Sequence, residues 1–191
     1  MDSPETICQC YSQSEFIGFD ETLKGCLTEF NATVNKKKKD VNKEDSVNFA
    51  ENQLMILLKE LIQTCPKYQM DFNNVLLNRY SNRNKDNLEM RMDSLQKVID
   101  SADNKAGRYI QLSELEILNE EYDRANESVN TSIKMNPKME MSYFVRGFLY
   151  HRKGQLTDAI SDFKTMRNLT KQSQLKQIGD LYILNLEQEL K

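Results

Sequence analysis

Histidine, cysteine and clustered carboxylates build most catalytic and metal sites, and this chain offers few of them at usable spacing. Its only histidine is His151, so neither a histidine-based triad nor a multi-histidine metal site can be assembled. Four cysteines stand at Cys8, Cys10, Cys26 and Cys65. A Cys-x-Cys pair followed at long, unequal intervals matches no common zinc spacing, and a helix expected from Asp20 separates Cys10 from Cys65. The four therefore read as reduced, unligated thiols, with a structural metal as the lesser alternative; no metal and no other cofactor is expected. Glu114, Glu116, Glu120 and Glu121 fall on a helix surface and its exit and read as a solvated face. Neither a G-x-G-x-x-G nor a G-x-x-x-x-G-K-[ST] phosphate-binding run occurs. The N-x-[ST] triplets at Asn31, Asn126, Asn130 and Asn168 are read as chance matches in a chain without a secretion signal. These residues together predict a protein that is not an enzyme.

Composition narrows the class. The 191 residues include only 6 Gly and 3 Pro, and Lys, Glu, Leu, Asn and Gln are abundant, which favours an all-α domain. A net charge of −3 from mixed signs gives no reason to expect nucleic acid. The basic tract Lys36–Lys39 belongs to a charged stretch, Lys36 to Asp45, in which acids follow at once, so it reads as a solvated linker rather than a contact to phosphate or lipid. The opening Met1-Asp2-Ser3-Pro4-Glu5 is acidic where a signal peptide or presequence needs positive charge. No apolar run approaches the roughly 20 residues that span a bilayer. The expectation is a cytoplasmic protein, cytoskeletal and organelle-surface assemblies included, with reduced thiols and no membrane insertion.

The elements come in a clear order. Residues 1–45 read as an N-terminal arm, a short helix and the Lys-rich linker. Cys8, Cys10, Phe16, Ile17 and Phe19 suggest an extended arm with apolar anchors; from Asp20, the residues Leu23, Leu27, Phe30 and Val34 share a helical face that stops near Asn35. Residues 46–105 form a helical region. Phe49, Leu54, Leu57, Leu58, Leu61 and Ile62 lie on one face of a helix ended by Pro66. A second helix carries Met70, Phe72, Val75, Leu76 and Tyr80, and a third carries Leu88, Met92, Leu95, Val98 and Ile99.

The best-defined stretch is Tyr143 to Met166. Tyr143, Gly147 and Tyr150 fall at helical spacing, a turn follows at Lys153-Gly154-Gln155, and Ala159, Phe163 and Met166 repeat the alternation of small and large. Such a pattern lets two helices interlock as a hairpin, with Gly154 at the helix exit. Shifted back by 34 residues, the frame places Tyr109, Leu112, Ala125, Val129 and Pro137 at matching positions. This period resembles the tetratricopeptide repeat, W-x2-L-G-x2-Y…A-x3-F…P, with repeats at 106–139 and 140–173. The later copy has Tyr143 for Trp, Arg146 for Leu and Lys171 for the final Pro; the earlier has Glu116 where Tyr belongs. The region 72–105, with Arg91 where a small residue is wanted, reads as a degenerate third unit or as an ordinary helical pair that stacks like one.

The resemblance implies a right-handed stack of antiparallel helical hairpins, an α-solenoid, over 106–173, with residues 174–191 as a capping helix. Repeats of this kind bind partners on a concave face lined by first helices. The residues beside the packing positions are Ile110, Gln111, Glu114, Ile117 and Leu118 in the first copy, and Met141, Phe144, Val145, Phe148, His151 and Arg152 in the second. That groove is either filled by the chain itself, through the N-terminal arm with Phe16 and Phe19, or takes a partner's helix or extended peptide. The expected function is a non-catalytic protein-binding adaptor or structural subunit of a larger assembly. The alternative is a co-chaperone-like adaptor for a heat-shock chaperone; family members of that type grip an acidic tail with Lys, Asn and Arg. Here Val145, Ile110, Glu114, Leu175 and Gly179 stand at those positions, so the usual clamp is missing. In the last helix, Leu181-Tyr182-Ile183-Leu184-Asn185-Leu186 is apolar at five of six positions. Ile183 and Leu184 are expected to be at least partly exposed and to dock another subunit.

Overall fold

The structure is a computed structural model that describes residues 3–13, 19–27, 43–80 and 83–191. Among these residues there are ten α-helices and no strand: α1 Pro4–Gln13, α2 Phe19–Cys26, α3 Lys43–Thr64, α4 Pro66–Leu77, α5 Leu88–Ile99, α6 Lys105–Leu118, α7 Tyr122–Met135, α8 Glu140–Arg152, α9 Leu156–Leu169 and α10 Ser173–Glu189. None is long and apolar enough to cross a membrane. Phe16, Phe30, Val34 and the Lys36–Lys39 tract lie outside the described residues. The chain forms two compact units, one ending at Val75 and one spanning Leu76–Leu190. The boundary falls inside the region 46–105 that the sequence treats as one segment.

Two expectations about the first unit are corrected. The start of the chain is not an extended arm. Ser3 caps α1, its Oγ accepting from the Thr6 N–H at 3.3 Å and its carbonyl from the Ile7 N–H. Pro4 occupies the first helical position, where its missing N–H costs nothing. Nor are the cysteines free: Cys8 is bridged to Cys65 and Cys10 to Cys26, with Cα separations of 5.4 and 5.8 Å. Local spacing could not show this, because the partners are 57 and 16 residues apart. Beside these bridges α1 buries Ile7 and Tyr11. The Tyr11 ring meets Tyr68 edge-on at 5.4 Å, its hydroxyl donates to Asp71 Oδ2 at 3.1 Å, and Lys67 Nζ donates to the Tyr11 carbonyl. Burial, reinforced by the Asp71 charge, raises the Tyr11 hydroxyl above the ordinary tyrosine range. In α3, Leu57, Leu61 and Ile62 are buried as their spacing predicts, whereas Met70 and Val75 of α4 are exposed.

In the second unit α5 joins α6 through a core of Met92, Ile99 and Leu112, with Tyr109, Leu95 and Leu115 against it. Asn104 caps α6, accepting from the Gly107 N–H at 2.9 Å. Helices α6 and α7 run antiparallel: Ser113 Oγ donates to the Ala125 carbonyl, and Ser132 Oγ donates to the Ala106 carbonyl at the far end. In α8 and α9 the close approach is at Gly147, where an added Cβ would stand 2.9 Å from Phe163 Cε1. The turns of these two pairs are built alike. The Glu121 N–H reaches the Glu116 carbonyl and the Gln155 N–H reaches that of Tyr150, both at 2.9 Å.

Gly154 has φ 72° in its turn, as the helix exit requires, and the matching residue of the earlier turn is Glu120 with φ 64°. A side chain in that left-handed region is strained by roughly 1–2 kcal/mol, while glycine adds unfolded-state entropy that offsets part of the relief. The Lys85 contact of Glu120, at 3.9 Å and well exposed, contributes little. Glu120→Gly is therefore expected to stabilise the second unit by about 0.5–1 kcal/mol, read as a higher urea midpoint at unchanged slope. A lower midpoint would show that the turn carries no relievable strain.

Candidate partner-binding surface

Helix α8 presents three of the expected groove residues, Phe144, Val145 and Phe148, and all three are buried within the chain. The two rings meet edge-on at 4.9 Å, and each also lies against Phe163 of α9 and Tyr182 of α10, at centroid distances of 5.3–6.0 Å. Two residues following α4 complete the cover. Tyr80 meets Phe148 edge-on at 6.2 Å, and the Arg79 guanidinium stands 4.8 Å from the Phe144 centroid and 5.1 Å from that of Phe148. A cation over an aromatic face is held by the ring quadrupole. Arg79 also donates to the Tyr182 hydroxyl at 3.4 Å. Burial raises that hydroxyl above its ordinary range, opposed by the Arg79 charge. These rings are thus covered by α10 and by the residues after α4.

The remaining expected residues separate by helix face. Ile110 and Ile117 of α6 are core residues. Glu114 is half-buried, accepting from the Tyr80 hydroxyl at 3.3 Å and facing Arg83 at 3.4 Å. His151 is buried; its Nε2 lies 3.5 Å from Glu189 Oε2, and its Nδ1 has no hydrogen-bond partner. Arg152 donates to the Leu77 carbonyl and the Tyr122 hydroxyl. Met141 is exposed. Ile183, expected to be partly exposed, is only 8 % exposed. It shares a helix face with Gly179, whose lack of a Cβ lets α10 approach Met166 and Arg167 closely. Leu184 is half-buried.

Two features were not visible in advance. Arg146, a departure from the repeat pattern, forms a two-point ion pair with Asp162 of α9, Nε to Oδ2 at 2.7 Å and NH2 to Oδ1 at 2.9 Å, and donates to Asn130 of α7. Tyr143 and Tyr150 flank its guanidinium, each centroid 5.6 Å away. Glu116, the other departure, is buried rather than solvated. Burial raises its carboxyl above the usual carboxylate range, opposed by a hydrogen bond from Ser128 and by the Arg124 charge.

An open groove of 580 Å³ lies between α5 and α6. Arg91, Ser94, Leu95 and Val98 line one wall, and Gln111, Glu114, Leu115 and Leu118 the other. Each set follows i, i+3, i+4, i+7, so each wall is one stripe of one helix. Met90, 65 % exposed, and Val98, 47 % exposed, form its apolar lip, with Arg83 and Arg91 among its polar residues. Val98 shares the apolar side of α5 with Met92 and Ile99, but it faces this groove while they are buried. Among the described residues no group of three His, Cys, Asp or Glu side chains could hold a metal ion. Compared with protein-family models, curated proteins and solved structures, the chain matches none of them.

Proposed function

We propose that this chain is a non-catalytic protein-binding module whose second unit stacks antiparallel helical hairpins in the manner of tetratricopeptide repeats. Supporting the repeat reading, the α6–α7 and α8–α9 turns share their hydrogen bonds and left-handed residue. Both pairs bury a small residue on the second helix, Ala125 and Ala159. The binding site is placed in the α5–α6 groove rather than over Phe144 and Phe148, whose rings the chain already covers.

The observation that carries this reading is the pair of stripes lining the groove, in which Val98 and Met90 are exposed, Leu95 and Leu115 half-buried, and Leu118 buried at the floor. Two helical walls with apolar floors suit a partner helix or extended peptide with apolar anchors, and methionine at the lip adapts to the ligand's shape. Glu114 belongs both to this groove and to the expected site.

The test is Met90→Asp with Val98→Asp, two exposed positions whose change should leave helicity and melting within about 0.5 kcal/mol of the parent. Proteins captured by the parent chain and identified by mass spectrometry should be lost with the double variant. Capture of the same proteins in equal amount by both chains would overturn the groove assignment.

A further inference from the structure

We propose that α1 is a redox-operated clasp on the first unit. Cys8 and Cys10 lie two residues apart on one helix and so point to different sides of it. One side is tied to Cys65, between α3 and α4, and the other to Cys26, at the end of α2. With 10 and 8 residues, α1 and α2 are too short to persist as isolated helices; their place depends on what fastens them. Beyond the bridges, α1 is held by buried Ile7 and Tyr11, the Tyr11–Asp71 hydrogen bond and the Lys67 contact.

The two bridges differ in access. Cys10 is exposed and Cys65 buried, so a dithiol reductant reaches the Cys10–Cys26 bridge first. Its thiolate attacks one sulfur; the mixed disulfide is then resolved by the reductant's second thiol. Per bridge, two electrons and two protons pass to the cysteines, giving two thiols, and the reductant leaves as its own disulfide. Reduction of Cys8–Cys65 completes the release and uncovers Tyr68, which lies against Tyr11. The second unit contains no cysteine, so the response is confined to the first. Two such bridges fit a chain that works in a thiol-oxidising setting, or that passes between oxidising and reducing ones.

The test uses the full chain purified without reductant and alkylated in denaturant. Intact mass should show no adducts before, and four after, treatment with a dithiol. Amide exchange in residues 4–13 should become roughly 100-fold faster on reduction, the scale expected from removing a loop-closing bridge, with residues 88–189 unchanged. Cys10→Ser with Cys26→Ser, which keeps the other bridge, should leave α1 slow and speed exchange in α2. Four adducts on the untreated chain, or unchanged exchange of α1 after full reduction, would overturn the clasp. Exchange of α1 in the variant as fast as in the reduced chain would overturn its two-sided attachment.

Discussion

Phe163→Ala should cost about 3–5 kcal/mol, the range for deleting a fully buried aromatic ring. The ring has no exposure and touches three others, Phe144 at 6.0 Å, Phe148 at 5.4 Å and Tyr182 at 5.3 Å. It also fills the space that Gly147 leaves open on α8. Removing it opens one cavity shared by α8, α9 and α10, and no neighbouring side chain can collapse into it without leaving its own contacts. Against a typical domain stability of about 5–15 kcal/mol, this loss should move the urea midpoint far, whereas Phe163→Leu should move it much less. A midpoint unchanged by the alanine would mean that the ring is not the filler between these helices.

Asp162→Ala should have the second largest effect, about 3 kcal/mol, because it strands the Arg146 guanidinium among aromatic rings. The carboxylate is nearly inaccessible, while the Arg146 side chain keeps 20 % exposure, which places the effect at the lower end of the range for broken buried pairs. Burial pushes the Asp162 carboxyl above its ordinary value, opposed by the hydrogen bonds and charge of Arg146. Forming this pair therefore spends desolvation energy that only two-point geometry recovers. The double variant Arg146→Leu, Asp162→Leu should consequently regain most of the loss, and it also restores the leucine that the repeat pattern favours at 146. A double variant as unstable as Asp162→Ala would show that packing around 162, not the stranded charge, sets the cost. The comparison needs only melting curves of three chains.

The helices of the second unit were legible from periodicity alone. The expected turn at 153–155 and the expected helix over 174–191 match the observed α8–α9 turn and α10 to within two residues, the hairpin expected over Tyr143 to Met166 falls three residues short at its outer ends, and Gly154 takes the left-handed turn assigned to it. The small–large alternation also pointed to the Gly147–Phe163 contact. What could not be read was direction. Leu88, Met92, Leu95, Val98 and Ile99 all lie on the apolar side of α5, yet only Leu88, Met92 and Ile99 are buried. The apolar arc is wider than the contact with α6, and the excess becomes a groove wall. Phe144 and Phe148 were equally ambiguous, since a buried ring and a binding ring have the same periodicity.

The start of the chain shows the sharpest division. The cysteines and scattered aromatics of residues 1–19 suggested an arm, whereas Ser3 and Pro4 open a helix there. The pairing of Cys8 with Cys65 and of Cys10 with Cys26 depends on where α1 lies against α2 and the α3–α4 junction. Spacing along the chain by itself determined that this protein is helical, roughly where the helices after α1 lie, and which face of those helices is apolar, because those properties follow from neighbours within one or two turns. Only the tertiary structure decided which apolar faces meet, which cysteines join, that Arg146 finds Asp162, and that one pair of stripes remains open. Those outcomes depend on groups that are distant in sequence and adjacent only after folding.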